Sequence, residues 1–146
     1  MQNAERLYFE AQLAHEEGNY QKADETAFAA MIAAAGGLVR LENQDIPDDP
    51  DQVVPEFRKR YYDTKLFHDK YAGGKFAEYL FNRYEDTGRE YTADKVRLLL
   101  EETQLFIEAA HACNAKLIEQ ANADRKAALS DRKGKGRDKT TSAANA

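Results

Sequence analysis

The sequence predicts an all-α fold, a single antiparallel bundle of about five helices. Three observations carry that prediction. Val96, Leu99, Thr103, Phe106, Ala110, Cys113 and Leu117 recur at alternating steps of three and four, the spacing of one helical face. Ala23, Ala27, Ala30 and Ala34 form a second stripe made of small residues. No segment alternates with a period of two, and the runs Tyr61-Tyr62 and Leu98-Leu99-Leu100 sit inside helical patterns.

The elements follow in order. Asn3 to Glu17 places Ala4, Leu7, Ala11 and Ala14 on one face, and Gly18 supplies a left-handed stop. Asn19 can cap a second helix from Tyr20 to about Leu41. Its alanines let a neighbouring helix approach closely, and Gly36-Gly37 reads as a tolerated close contact late in the run or as a break. ENQDIPDDPDQ, Glu42 to Gln52, has two prolines, five acids and no period, so it is a surface loop. Pro55 is expected in the first turn of a third helix that begins with Val54, Phe57 and Tyr61 and extends to Phe67 or beyond. Ala72-Gly73-Gly74 ends that segment, and Phe76, Tyr79, Leu80 and Tyr84 mark a fourth helix closed by Gly88. Thr92 can cap the fifth, with Asp94 near its positive end. The fifth stripe covers about six turns, roughly 31 Å, and needs partners along its length. Past Asn122 the pattern fades, so the domain is expected to span 1–124 and a disordered tail 125–146.

Composition narrows the function. A chain of 146 residues is long enough for one domain with a real core. One cysteine, Cys113, excludes an internal disulfide and a cysteine-only metal site. No apolar run approaches the ~20 residues of a membrane span, and the N-terminus lacks an apolar signal core, so a cytoplasmic location is expected. The net charge of −5 is unevenly spread: 125–146 carries seven Lys/Arg against two Asp, which leaves −10 on the remaining 124 residues. An acidic body with a basic tail is not a nucleic-acid-binding surface.

The residues that usually carry chemistry are sparse. His15 lies at a helix end, His111 beside the fifth stripe and His68 in the stretch between helices three and four. No two histidines have metal-ligand spacing such as four apart on one helix, and no Glu-x-x-His pair stands out. Capping, packing or solvation outweighs a catalytic role for each. Cys113 reads as a small core residue. Ser130 and Ser142 are the only serines, both in the tail, which excludes a serine nucleophile from the ordered part. Gly73-Gly74-Lys75 holds fragments of a phosphate loop but lacks its full spacing and its preceding strand. No catalytic residue, metal or cofactor is therefore expected.

One segment stands out, FRKRYYDTKLFHDKYAGGKF, Phe57 to Phe76. Six cations, Arg58, Lys59, Arg60, Lys65, Lys70 and Lys75, face only Asp63 and Asp69, with aromatic rings interleaved. Guanidinium forks and ring faces together suit an anion, a nucleotide or a partner protein. The candidate binding residues are Arg58, Arg60, Lys65, His68 and Lys75 as cations, with Tyr61 and Tyr71 as ring platforms. The competing reading is internal: the cations neutralise acids of the same bundle and the rings fill its core.

The five-helix pattern, with GNYQKADETAFAAMIAAAGGLVRL as its second helix, resembles the HEPN superfamily. That resemblance implies a helical bundle, often dimeric, that accompanies nucleotidyltransferases or acts as a ribonuclease. Nuclease members carry Arg, four to six residues, then His. Here seven residues separate Arg60 from His68 and eight separate Arg6 from His15, so the activity is not carried over. The segment EFRKRYYDTKLFHDKYAGGKFAEYLF is also similar to HEPN-like segments appended to sirohaem nitrite or sulfite reductases. The reductase core needs several cysteines, so that resemblance implies an accessory piece. The expected function is a non-catalytic binding or accessory domain for a partner protein, for a second copy in a homodimer, or for an anionic or nucleotide ligand. The rival is a HEPN-type ribonuclease or a nucleotide-binding component of a toxin system.

Overall fold

The computed structural model describes the backbone of residues 2–145 and the side chains of residues 2–131. It is all-helical, with five α-helices: α1 (Gln2–Glu16), α2 (Tyr20–Val39), α3 (Pro50–Phe57), α4 (Lys75–Glu85) and α5 (Ala93–Asn145). A π-helical turn, Arg58–Tyr62, continues α3. The described residues contain no strand, only one isolated bridge between Asp69 and Gly73. None of their helices is long and apolar enough to cross a membrane. The chain divides into two units, 1–113 and 114–146.

Helix α2 is the centre of the first unit. Ala23, Ala27, Ala30 and Ala34 are fully buried, as are Met31 and Leu38. Burial continues through Ala33, Ala35 and Gly36, so α2 is enclosed on most sides. Its start is set by Gly18 at φ +81 and by Asn19, whose side chain accepts from the Lys22 amide at 3.3 Å. Gly36-Gly37 does not break the helix. A Cβ on Gly36 would stand 2.5 Å from Asp48 Oδ1, the atom that accepts from Arg40 Nη1 at 2.6 Å. The glycine makes room for the ion pair that closes the following loop.

Helix α3 starts earlier than the sequence reading placed it. Asp49 caps it through the Asp51 amide at 3.2 Å, and Pro50 takes the first-turn position. Pro55 lies inside the helix instead, at an exposed position. The helix then widens: Asp63 N donates to Arg58 O at 2.8 Å, five residues back. It ends at Tyr62, short of the expected Phe67. Tyr61, four residues after buried Phe57, faces inward, and its hydroxyl donates to Leu38 O at 2.5 Å. Phe57 is the hub of the aromatic core, with ring centroids of Tyr61, Phe67, Phe81 and Phe106 at 5.8, 5.0, 6.0 and 5.7 Å.

The α5 stripe is buried as expected from Val96 through Leu99, Thr103, Phe106 and Ala110 to Cys113, and Thr92 caps it through the Lys95 amide. Helix α1 runs antiparallel to it, with Glu5 beside His111, Tyr8 beside Gln104 and His15 Nε2 3.0 Å from Ala93 O. Beyond Cys113 the helical backbone continues to Asn145. Alanine, lysine and arginine dominate 121–129, and extending an existing helix needs no new nucleus. Every side chain from Ile118 to Asp131 is exposed, and those of 132–146 lie outside the described residues.

One polar cluster sits inside the first unit. Asp24, on α2 and 0% exposed, receives Arg83 from α4 on Oδ1 at 2.7 Å and Arg89 from the α4–α5 linker on Oδ2 at 2.5 Å. Arg83 also lies 4.5 Å above the Phe28 ring. Removing one member of a buried ion cluster strands its partners. Asp24→Asn is expected to lower unfolding stability by about 3–5 kcal/mol in urea titration; a loss under about 1 kcal/mol would show that the cluster is dispensable. Deleting 125–146 should leave the melting temperature nearly unchanged, because those side chains that are described bury nothing; a drop of several degrees would mean the segment packs.

Candidate functional site

The segment between the π-helical turn and α4 is a closed loop. Asp69 and Gly73 exchange both backbone hydrogen bonds at 2.9 Å. Inside that ring, Asp69 Oδ1 accepts from the Tyr71 and Ala72 amides, each at 2.8 Å. Gly73 takes φ +61, a conformation glycine adopts without penalty. A Cβ on Gly74 would stand 2.7 Å from Tyr62 Cε2, so the second glycine lets the loop lie against that ring. On the other flank, Cys113 Sγ donates to Leu66 O at 3.6 Å. Gly73-Gly74 is therefore a loop closure and a helix start, with Gly74 as the residue before α4.

The candidate residues divide into two groups. Arg58 reaches Glu85 at 3.3 Å and lies 4.1 Å above the Phe81 ring. Arg60 is held twice, by Glu56 at 2.6 Å and Glu42 at 2.5 Å. The hydrogen bond from Arg60 holds the Glu56 carboxyl below its ordinary range. Tyr61 is 1% exposed, so its ring belongs to the core and offers no platform to a ligand. Burial pushes its hydroxyl pKa up to about 12. For these three residues the internal reading of the basic-aromatic segment applies.

Lys65, His68, Tyr71 and Lys75 behave differently. All four are exposed, and Tyr71 is 90% exposed. Lys65 sits at φ +63 at the loop's outer turn. Neither Lys65, His68 nor Lys75 makes a side-chain hydrogen bond or ion pair with any described residue. The His68 ring lies over the Gly73-Gly74 backbone. Sequence reasoning passed over two further members. Lys70 stands 5.7 Å above the Tyr71 ring, and Leu66 is 46% exposed. Their signal was their position: each neighbours a residue already chosen on the same loop.

Chemically, the loop presents cations and one ring on a backbone fixed by its own hydrogen bonds. Such a surface can attract and orient an anion. It holds no nucleophile–base pair, and no group of three His, Cys, Asp or Glu among the described residues is placed to hold a metal. Arg60 and His68 do not converge, since Arg60 is bonded away to Glu42 and Glu56. No protein-family model, curated protein or solved structure matches the chain.

Buried and hydrogen-bonded tyrosines give the first unit an alkaline limit. Tyr61 is raised by burial, Tyr8 by burial, and Tyr62 and Tyr84 by hydrogen bonds to Glu78 and Asp51. With folded values above the ordinary 10.0, the unfolded chain ionises first. Their contribution to stability is then fully present below pH 10 and lost as pH rises towards 12. Denaturant titrations across that window, with tyrosinate absorbance followed in parallel, should show the fall; a flat profile would contradict it.

Proposed function

We propose that this chain is a non-catalytic helical binding module whose loop, residues 63–74, with Lys75 at the start of α4, engages an anionic partner. The observation that carries the reading is the division of the basic segment. Its arginines are consumed by acids of the same fold, whereas Lys65, His68, Lys70 and Lys75 are exposed without an ion pair to any described acid, and Lys70 lies over the Tyr71 ring. A rigid backbone lowers the entropy lost when such side chains meet a ligand. The five-helix order and the Tyr-x-x-Ala second helix support a HEPN-like layout as part of the same proposal. The likeness to segments attached to sirohaem reductases makes an enzyme of that kind one partner class. The separation of Arg60 from His68 favours binding over a nuclease activity.

Binding of poly-L-glutamate to the full chain, read by fluorescence anisotropy, tests this directly. The triple variant Lys65→Glu, Lys70→Glu, Lys75→Glu changes only exposed positions. It should bind about tenfold more weakly or worse, and wild-type affinity should fall with added salt. Unchanged affinity in the triple variant would remove the loop as the site.

A further inference from the structure

A second surface lies between α4 and the start of α5. It is an open cleft of about 340 Å³, near the lower end of small-ligand pockets. Leu98, 55% exposed, and Leu99, 4% exposed, give it an apolar strip. Tyr79, Asn82 and Glu102 supply its unengaged polar groups. None of these three side chains makes a hydrogen bond or ion pair with a described residue.

The charges around the cleft are otherwise matched. Arg83 and Arg89 share Asp24, and Arg89 also holds Asp86 at 2.7 Å. Lys95 holds Glu90 at 2.7 Å. Glu101, next to Glu102, lies 3.7 Å from Arg97. Lys75, at the start of α4, acts on Glu102 through space without an ion pair. One carboxyl, half-buried Glu102, is left over. Burial is the largest influence on it and raises its pKa above 4.5; Glu101 pushes the same way, while Arg89 and Lys75 oppose.

We propose that this cleft binds an alkylammonium group. The ammonium head sits on the Glu102 carboxylate and the Asn82 amide oxygen, and the stem lies along Leu98 and Leu99. Tyr79 closes one wall, offering a hydroxyl acceptor and a ring face to the cation. The partly desolvated carboxylate, which feels Arg89 and Lys75 only through space, gains a direct ion-pair partner. The source is either a lysine side chain of a partner chain or a free aliphatic amine. The inference does not depend on the loop's binding an anion.

Butylamine, the lysine side chain alone, is the first probe, added to the full chain while backbone amide NMR shifts are followed. Saturable shifts at Leu98, Leu99 and Glu102 are expected, with none from the neutral isostere N-butylacetamide. Glu102→Gln, which keeps the shape, should weaken binding about tenfold or more. Leu98→Ala, at an exposed position outside the core, should weaken it about three- to fivefold. Affinity should also fall as pH drops through the raised Glu102 range, where butylamine stays charged. A capped lysine peptide binding more tightly than 1,5-diaminopentane assigns the site to a partner chain, and the reverse order assigns it to a free amine. Non-saturating shifts in wild type, or wild-type affinity in Glu102→Gln, would overturn the proposal.

Discussion

The first unit depends on one charge that the helical core cannot leave unmatched. Asp24 is fully enclosed on α2, among alanines that provide no polar atom. A carboxylate in that setting costs several kcal/mol unless it is paired and hydrogen-bonded. Arg83 and Arg89 satisfy both of its oxygens. They come from the last turn of α4 and from the linker beyond it, so the pairing fixes where α4 ends against α2. It also fixes where the chain enters α5. Alanine stripes permit several close packings, since small residues discriminate poorly between registers. A buried ion cluster accepts one. Asp24 therefore supplies the register that Ala23, Ala27, Ala30 and Ala34 lack.

The same logic of shared positions runs through the aromatic core. Phe57 touches rings from the π-helical turn, from the following loop, from α4 and from α5. Tyr61, four residues after Phe57, lies on the same side of the helix and reaches Leu38 O. The loop that follows begins at a point anchored by Tyr61 and Phe67. Its outer residues are thus exposed without being loose. Asp69 holds their backbone from inside the ring, and Cys113 holds Leu66 from outside.

The helices were legible because periodicity records burial. The α5 stripe, the α2 alanines and the caps at Asn19 and Thr92 all lie where their spacing and residue types place them. What escaped the sequence needed contacts between distant residues. Asp24 looks like any acid of a surface helix turn until Arg83 and Arg89 arrive from sixty residues away. Pro50 and Pro55 are equivalent candidates for a first turn, and only the Asp49 cap decides between them. Tyr61 and Tyr71 carry the same ring at the same spacing from charges, yet one is core and the other is 90% exposed. Tyr61 lies one helical turn after Phe57, on the face turned to the core, whereas Tyr71 stands on the loop beyond the helix.

Charge type sorts the interior from the surface. Every arginine from 40 to 97 is bonded to an acid of its own fold. A guanidinium presents several donors in a plane and can serve two carboxylates at once, as Arg60 and Arg89 do. Lysine has one compact, strongly hydrated head and gains less from such an arrangement. Lys59, Lys65, Lys70 and Lys75 accordingly remain without acid partners among the described residues. Among the described residues, the lysines of the loop and, in the α4–α5 cleft, Glu102 form no ion pair.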